Sequence, residues 1–275
     1  IASRHCDVPK FAVVAYGKLG GKELSYASDL DLIYLYDDPS PEASKNYTRL
    51  VRRMMSWLTV QTSSGILFDV DLRLRPNGEN GLVVSSFEMF KRYQRNEDGT
   101  GAWPWEHQAL TRARFCAGDR AIGQAFEKER EAILRLLRDK GKVFADVSEM
   151  RARMLEGHSN PTPLFDVKHD RGGMVDVEFA VQAMVLAYSH EHPELVNNFG
   201  NILLLEMAAR AGLIGEELAE KCVSIYRNYR HIQRKHRLEF GDGPVRVDRI
   251  EQSENIATVM QLWKTVFGSE GPLRN

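Results

Sequence analysis

An α+β fold is what the sequence predicts, with a mixed sheet and helices in front and an all-helical region behind. Three observations point there. Up to about residue 118, short apolar runs alternate with helical periods. From there on the period is almost wholly helical. The 275 residues are 43% apolar and 27% charged, the balance of an ordinary globular chain that buries a core without staples. We read residues 1–140 as one domain and 141–275 as a second, with the join anywhere from about 117 to 160.

Taken in order, residues 11–16 are an unbroken apolar run that stops at Gly17, the mark of a buried strand. Residues 19–28, with Gly20 and Gly21, read as a turn or short helix. Residues 29–36 are rich in strand formers, and the polar, proline-bearing stretch 37–41 ends them. Tyr47, Leu50, Val51, Met54 and Leu58 recur at helical spacing, so 44–62 is an amphipathic helix stopping near Gly65. Ile66, Phe68, Val70, Leu72 and Leu74 then alternate with Asp69, Asp71 and Arg73, which predicts a strand over 66–74 with one charged face. Asp119 caps a helix to about 137, and Asp146 or Ser148 starts another that ends near Gly157. Asn160-Pro161-Thr162-Pro163 is a break, and Phe165 to Lys168 is a short strand-like insertion. Helices follow at 173–190, 197–211, 216–239 and 252–267.

Lys plus Arg is 37 and Asp plus Glu is 38, a net charge of −1. That gives no electrostatic case for a general nucleic-acid or membrane binder. No stretch approaches 18 uninterrupted apolar residues, so no membrane span is expected. Cys6, Cys116 and Cys222 are odd in number, far apart and without a CxxC pair, which disfavours a disulfide framework or structural zinc and fits a cytoplasmic protein. The start has no signal-peptide layout, and the missing initiator Met suggests a piece of a longer protein. Asn46-Tyr47-Thr48 matches the glycosylation pattern by chance.

The chemistry concentrates on Asp29 and Asp31. In an extended strand, residues two apart share a face, so the two carboxylates stand side by side. Adjacent carboxylates repel unless a cation sits between them, and oxygen-only ligands favour Mg²⁺ or Mn²⁺. Asp-x-Asp also occurs in exposed strands and turns, and glycosyltransferases use it too. A third carboxylate from the Asp69-Val70-Asp71-Leu72-Arg73-Leu74-Arg75 strand would complete a two-metal site, with arginines near for phosphates. The glycines ahead of Asp29 can bring backbone N–H groups close to a triphosphate.

Together these pieces resemble the DNA polymerase β-type nucleotidyltransferase superfamily: a glycine turn, Asp-x-Asp on the next strand, a third Asp on a later one. The resemblance narrows to the glutamine synthetase adenylyltransferase family. It is carried by Gly17-Lys18-Leu19-Gly20-Gly21, Ser28-Asp29-Leu30-Asp31, the segment from Asp69 to Pro76, and Trp105-Glu106-His107-Gln108. Phe165-Asp166-Val167-Lys168 followed by Gly172-Gly173 and Asp176-Val177-Glu178 adds to it. Gly17-Lys18 stands where many superfamily members have Gly-Ser, a substitution that suits the narrower family.

The resemblance implies a polymerase β-type catalytic domain followed by a helical bundle, and a transfer of AMP from ATP to a tyrosine of glutamine synthetase. Asp29, Asp31 and Asp71 would hold two Mg²⁺ ions, Mn²⁺ being possible. Gly17, Lys18, Gly20, Gly21, Ser28, Arg73 and Arg75 would serve the nucleotide. Lys168, Asp176 and Glu178 would support a second motif, or be a helix start held by ion pairs to Lys168 or Arg171. The family's enzymes have two such halves, one adding AMP and one removing it, and Thr62 to Leu67 and the Trp105 segment look more like the adding, C-terminal half. The signal protein PII would act through the full-length enzyme. Rival readings are a glycosyltransferase and a non-catalytic regulatory module. Arg227, Arg230, Arg234 and Arg237 form a basic stripe, read as a solvated helix face. His190, His192, His231 and His236 read as surface residues, and Trp57, Trp103 and Trp105 as core or loop packing.

Overall fold

A computed structural model describes residues 8–26 and 28–268. Cys6 and the start of the chain lie outside the described residues. The chain divides into two units, Ile1–Leu134 and Arg135–Asn275.

The first unit is built on a mixed sheet. β1 (Phe11–Ala15) pairs antiparallel with β2 (Leu30–Tyr36) on one side and with β5 (Arg114–Gly118) on the other. β2 also pairs in parallel with two short strands, β3 (Val70–Asp71) and β4 (Ser85–Ser86). One face of β1 and β2, with Phe11, Val13, Leu32 and Tyr34, packs on Tyr47, Leu50 and Val51 of α2 (Ala43–Thr59). Ala12, Val14, Ile33 and Leu35 are buried as well, and α5 (Arg120–Leu134) packs against β1 and β5. A strand covered on both faces has no polar side to show, which is why β1 reads as an unbroken apolar run. Between β1 and β2 the chain makes one short helical turn, α1 (Gly17–Gly20).

The predicted strand over 66–74 shrinks to Val70–Asp71. On its N-terminal side Thr62 and Gly65 exchange backbone hydrogen bonds in a tight turn, with Gly65 at φ +102°. Ile66 and Leu67 are left exposed on the way back. On its C-terminal side the Arg73 N–H donates to Asp71 Oδ1 at 2.8 Å, and the Arg75 N–H to the Leu72 carbonyl at 3.2 Å. Both bonds curl the backbone out of the ladder, as Asp side chains do in turns. Phe68, Val70 and Leu72 still face the core, as their alternation predicts.

Over 85–118, where side-chain spacing predicts no element, the structure has β4, α3 (Phe87–Gln94), α4 (Pro104–Leu110) and β5. These elements are short, but their start signals are present. Ser86 Oγ accepts the Met89 N–H of α3. Pro104 opens α4, and Glu106 reaches back to the Trp103 N–H at 2.8 Å.

The second unit is helical: α6 (Lys140–Gly157), α7 (Met174–Tyr188), α8 (Asn201–Arg210), α9 (Glu216–Phe240) and α10 (Ser253–Phe267). A two-residue ribbon joins β6 (Phe165–Asp166) to β7 (Arg246–Val247). α6 starts earlier than the sequence suggests, because Asp139, and not Asp146 or Ser148, caps it by accepting the Lys142 N–H at 2.8 Å. Asp119 caps α5 as expected, through the N–H groups of Ala121 and Ile122. α7 is apolar nearly all round and forms the centre of the core. Trp263 is fully buried, whereas Trp57 and Trp103 are exposed, contrary to a packing role. Along α9, Arg227 and Arg234 are exposed and Arg237 pairs with Asp242 at 3.1 Å. Among the described residues, no helix is long and apolar enough to cross a membrane.

Candidate active site

The three aspartates singled out in the sequence come together. Asp31 and Asp71 are partners in the parallel pairing of β2 with β3, and Asp29 precedes β2 by one residue on the same face as Asp31. The Leu30 N–H, donating to the Asp69 carbonyl at 2.8 Å, anchors that register. Each aspartate offers a carboxylate oxygen, and the three oxygens lie within 4.8 Å of one another. A cleft of about 480 Å³ opens beside them, walled by Asp29, Asp71, Arg73 and Arg75, with Met55 of α2 and Glu79.

Electrostatics bear on this cluster. Burial, then the charges of Asp29 and Asp71, push the Asp31 carboxyl up to about 6, while Lys18 and Arg112 oppose them. For Asp71 burial again pushes upward, but hydrogen bonds and charge from Arg73 win, and its carboxyl lies below the usual range. Arg73 Nε donates to Asp71 Oδ2 at 2.8 Å and to Oδ1 at 3.1 Å. Three crowded carboxylates, all hard oxygen donors, suit a divalent cation such as Mg²⁺ or Mn²⁺.

The glycines beside the cluster fill different needs. Gly17 sits at φ +52°, and a Cβ there would overlap the Asp31 carboxylate. The glycine therefore lets the β1–α1 turn pass the carboxylate. Gly20 and Gly21 leave room for protein: a Cβ on Gly20 would meet the Ala15 and Arg112 carbonyls, and one on Gly21 the Arg112 guanidinium. Their N–H groups donate to Tyr16 and Gly17 carbonyls within the turn, at 2.7 and 3.0 Å. Ser28 is buried and closes a local turn, its Oγ accepting the Ser25 N–H at 3.2 Å. Arg75, expected at phosphate or carboxylate, donates to the carbonyls of Leu72, Glu79 and Gly81 and so shapes the loop after β3.

Lys168, Asp176 and Glu178 belong to the second unit. Asp176 is fully buried and held by Arg151 of α6 at 2.6 Å, with the Gly172 N–H donating to its other oxygen at 2.7 Å and Arg171 at 3.8 Å. The ion pair is thus with Arg151 first, and with Arg171 only at its margin. Glu178 accepts the Tyr226 hydroxyl at 2.8 Å. The Lys168 N–H donates to Asp166 Oδ1 at 2.9 Å.

Sequence reasoning missed three residues around α1, the buried Arg112 and Glu23 and the half-buried Arg114. Arg112 donates from Nε to the Gly17 carbonyl at 3.1 Å and pairs with Glu23. Arg114 donates to the carbonyls of Gly20 and Leu19 at 3.1 and 3.0 Å. The signal was there, an alternating Arg112-Ala113-Arg114 leading into a strand, but its partners lie some 90 residues away in sequence.

A mixed sheet carrying three convergent aspartates next to a glycine turn defines the first unit as a nucleotidyltransferase domain. Residues 2–129 match the family model described as glutamate-ammonia ligase adenylyltransferase. The chain carries a domain of that family. It is 55% identical over 269 residues to the bifunctional glutamine synthetase adenylyltransferase/adenylyl-removing enzyme of Ralstonia nicotianae, covering 98% of this chain and 28% of that protein. The enzymes of the same name from Burkholderia mallei and Aromatoleum aromaticum are each 52% identical, over 98% of this chain and 29% and 28% of theirs. The chain thus spans less than a third of the length of these relatives.

Proposed function

We propose that this chain transfers AMP from ATP to a tyrosine of glutamine synthetase, in the cytoplasm, as one half of a bifunctional enzyme. The observation that carries the proposal is the convergence of Asp29, Asp31 and Asp71, with Asp29 and Asp71 in the wall of the cleft. They would hold two Mg²⁺ ions, with Mn²⁺ as a substitute. When bound, the cations neutralise charge on the phosphates and ease loss of the phenol's proton, whose ordinary pKa is about 10.

The chain's own residues do the rest. Arg73 keeps the Asp71 carboxylate charged and oriented. Gly17 keeps the turn clear of Asp31. Lys18, on that turn, and Arg73, at the cleft, supply positive charge for the triphosphate. The tyrosine hydroxyl then attacks the α-phosphorus in line and pyrophosphate leaves, which is a matter of positioning for the protein. We place the control of this half by PII outside the chain, in the longer protein.

The test is labelling of unmodified glutamine synthetase with ATP radiolabelled at the α-phosphate, run beside Asp31→Asn. Label from the unaltered chain and none from the variant is expected. Label undiminished in Asp31→Asn removes the aspartates from the chemistry.

One observation favours a second reading. The relatives' name carries both activities, and this chain covers under a third of their length. The removing half would use inorganic phosphate to release ADP from AMP-tyrosine on the same three carboxylates. Phosphate-dependent ADP release without labelling assigns the chain to that half.

A further inference from the structure

We infer that Arg112 is a positioning residue for this site: it pins the Gly17 turn beside Asp31 and so sets metal affinity without touching metal or nucleotide. The inference rests on the metal reading proposed above.

Arg112 is only 7% exposed and stands just ahead of β5. Its Nε donates to the Gly17 carbonyl at 3.1 Å, and its Nη2 pairs with Glu23, also 7% exposed. The guanidinium occupies the space that a side chain on Gly21 would need, and the Arg112 carbonyl the space of one on Gly20. Each residue of the Gly17–Gly21 turn that lacks a Cβ therefore answers to a neighbour: Gly17 to Asp31, Gly20 to Arg112 and Ala15, and Gly21 to Arg112. On the far side of the turn, Tyr16 donates its N–H to the Asp31 carbonyl at 2.9 Å. The turn is thus clamped between Arg112 and Asp31, and any slack at the first is felt at the second.

A buried ion pair is a poor way to gain stability, because desolvation offsets most of the attraction. Its geometric value is larger. The planar fork of arginine reaches Glu23 and the Gly17 carbonyl at once, and a lysine at 112 keeps the charge but not the fixed fork. Groups that orient metal ligands from behind typically change metal affinity by about 10–100-fold when altered.

The experiment measures Mn²⁺ affinity by titration, alongside thermal melting, for Arg112→Lys and for the double variant Arg112→Gln/Glu23→Gln. The double variant strands neither charge. We expect melting within a few degrees of the unaltered chain and an affinity about 10–100-fold weaker. A folded variant with undiminished Mn²⁺ affinity overturns the positioning role. Should both variants unfold, the unaltered chain decides: the Arg112 Nε–H resonance must shift along the same Mg²⁺ titration that saturates the site, and a resonance indifferent to Mg²⁺ overturns it too. Failure of the metal reading looks different, as an unaltered chain that binds no Mn²⁺ or an Asp31→Asn variant that binds it equally well.

Discussion

Gly17 lies against Asp31 so closely that a Cβ on it would overlap that residue's Oδ2 and Cγ. Two constraints therefore meet at one position, a φ of +52° and a contact with the carboxylate proposed to hold metal. We expect Gly17→Ala to cost about 1–2 kcal/mol in backbone strain and to move the Asp31 carboxylate as well. Gly65→Ala separates the two effects, since Gly65 has φ +102° and open space around it. Both variants should melt lower. Only Gly17→Ala should lose Mn²⁺ affinity, and unchanged binding in that variant would falsify the contact's role.

Gly20→Val is expected to damage folding before nucleotide binding. The space around Gly20 is taken by the carbonyls of Ala15 and Arg112, neither of which can move without shifting β1 or the Arg112 segment. Overpacking of this kind typically costs about 1–3 kcal/mol. Circular dichroism and a melt should show the loss in the absence of ATP. A variant that melts like the unaltered chain yet fails to bind Mg·ATP would return Gly20 to the phosphates.

Much of this was legible in the sequence where a pattern is local. The apolar runs of β1 and β2, the period of α2 and the four last helices all come from side-chain spacing within one element. The Asp29–Asp31 pair is equally local. Asp71 was legible only as a charged strand position; its register opposite Asp31 depends on a parallel pairing across about 40 residues. What spacing could not give are the long-range partners. Arg112 with Glu23, and Arg151 with Asp176, join residues that no periodicity links. The length of β3 was misread because alternation continues past the point where the Asp71 and Leu72 acceptors turn the chain.

Asp31 makes the metal-free fold sensitive to pH. Its carboxyl is held near 6, above the unfolded value of 3.8, so the folded state binds more protons between those limits. Its contribution to stability then falls as pH rises through that window and levels off above about 6, while His169, whose imidazole burial pushes down to about 4, contributes a slope of opposite sign. Asp31→Asn should remove this contribution and stabilise the metal-free chain above pH 6, relative to the unaltered chain, by on the order of 1–3 kcal/mol, solvent screening included. Denaturant melts at pH 4.5 and 7.5, with chelator, measure it. A pH dependence in Asp31→Asn identical to that of the unaltered chain, or an Asn variant less stable at pH 7.5, contradicts the crowding of the three carboxylates.

The last prediction separates architecture from chemistry in the second unit. Asp176 sits in a family-like motif, and a carboxylate there invites a catalytic role. Its surroundings argue otherwise: it and Arg151 are both fully buried and 2.6 Å apart, and the Gly172 N–H occupies its other oxygen. Arg151 also donates to the His169 carbonyl at 2.8 Å, so the pair ties α6 and the β6–α7 loop to the start of α7. Breaking a buried pair on one side strands a charge and typically costs about 3–5 kcal/mol. Asp176→Asn should therefore lower the melting temperature sharply, and Arg151→Met similarly. The double variant Arg151→Met/Asp176→Asn, which leaves no charge unmatched, should recover part of the loss. AMP transfer should follow the folded fraction in all three, once measured at a temperature where each is folded. An Asp176→Asn chain that melts normally and transfers no AMP would show that this carboxylate acts on the substrate and not on the fold.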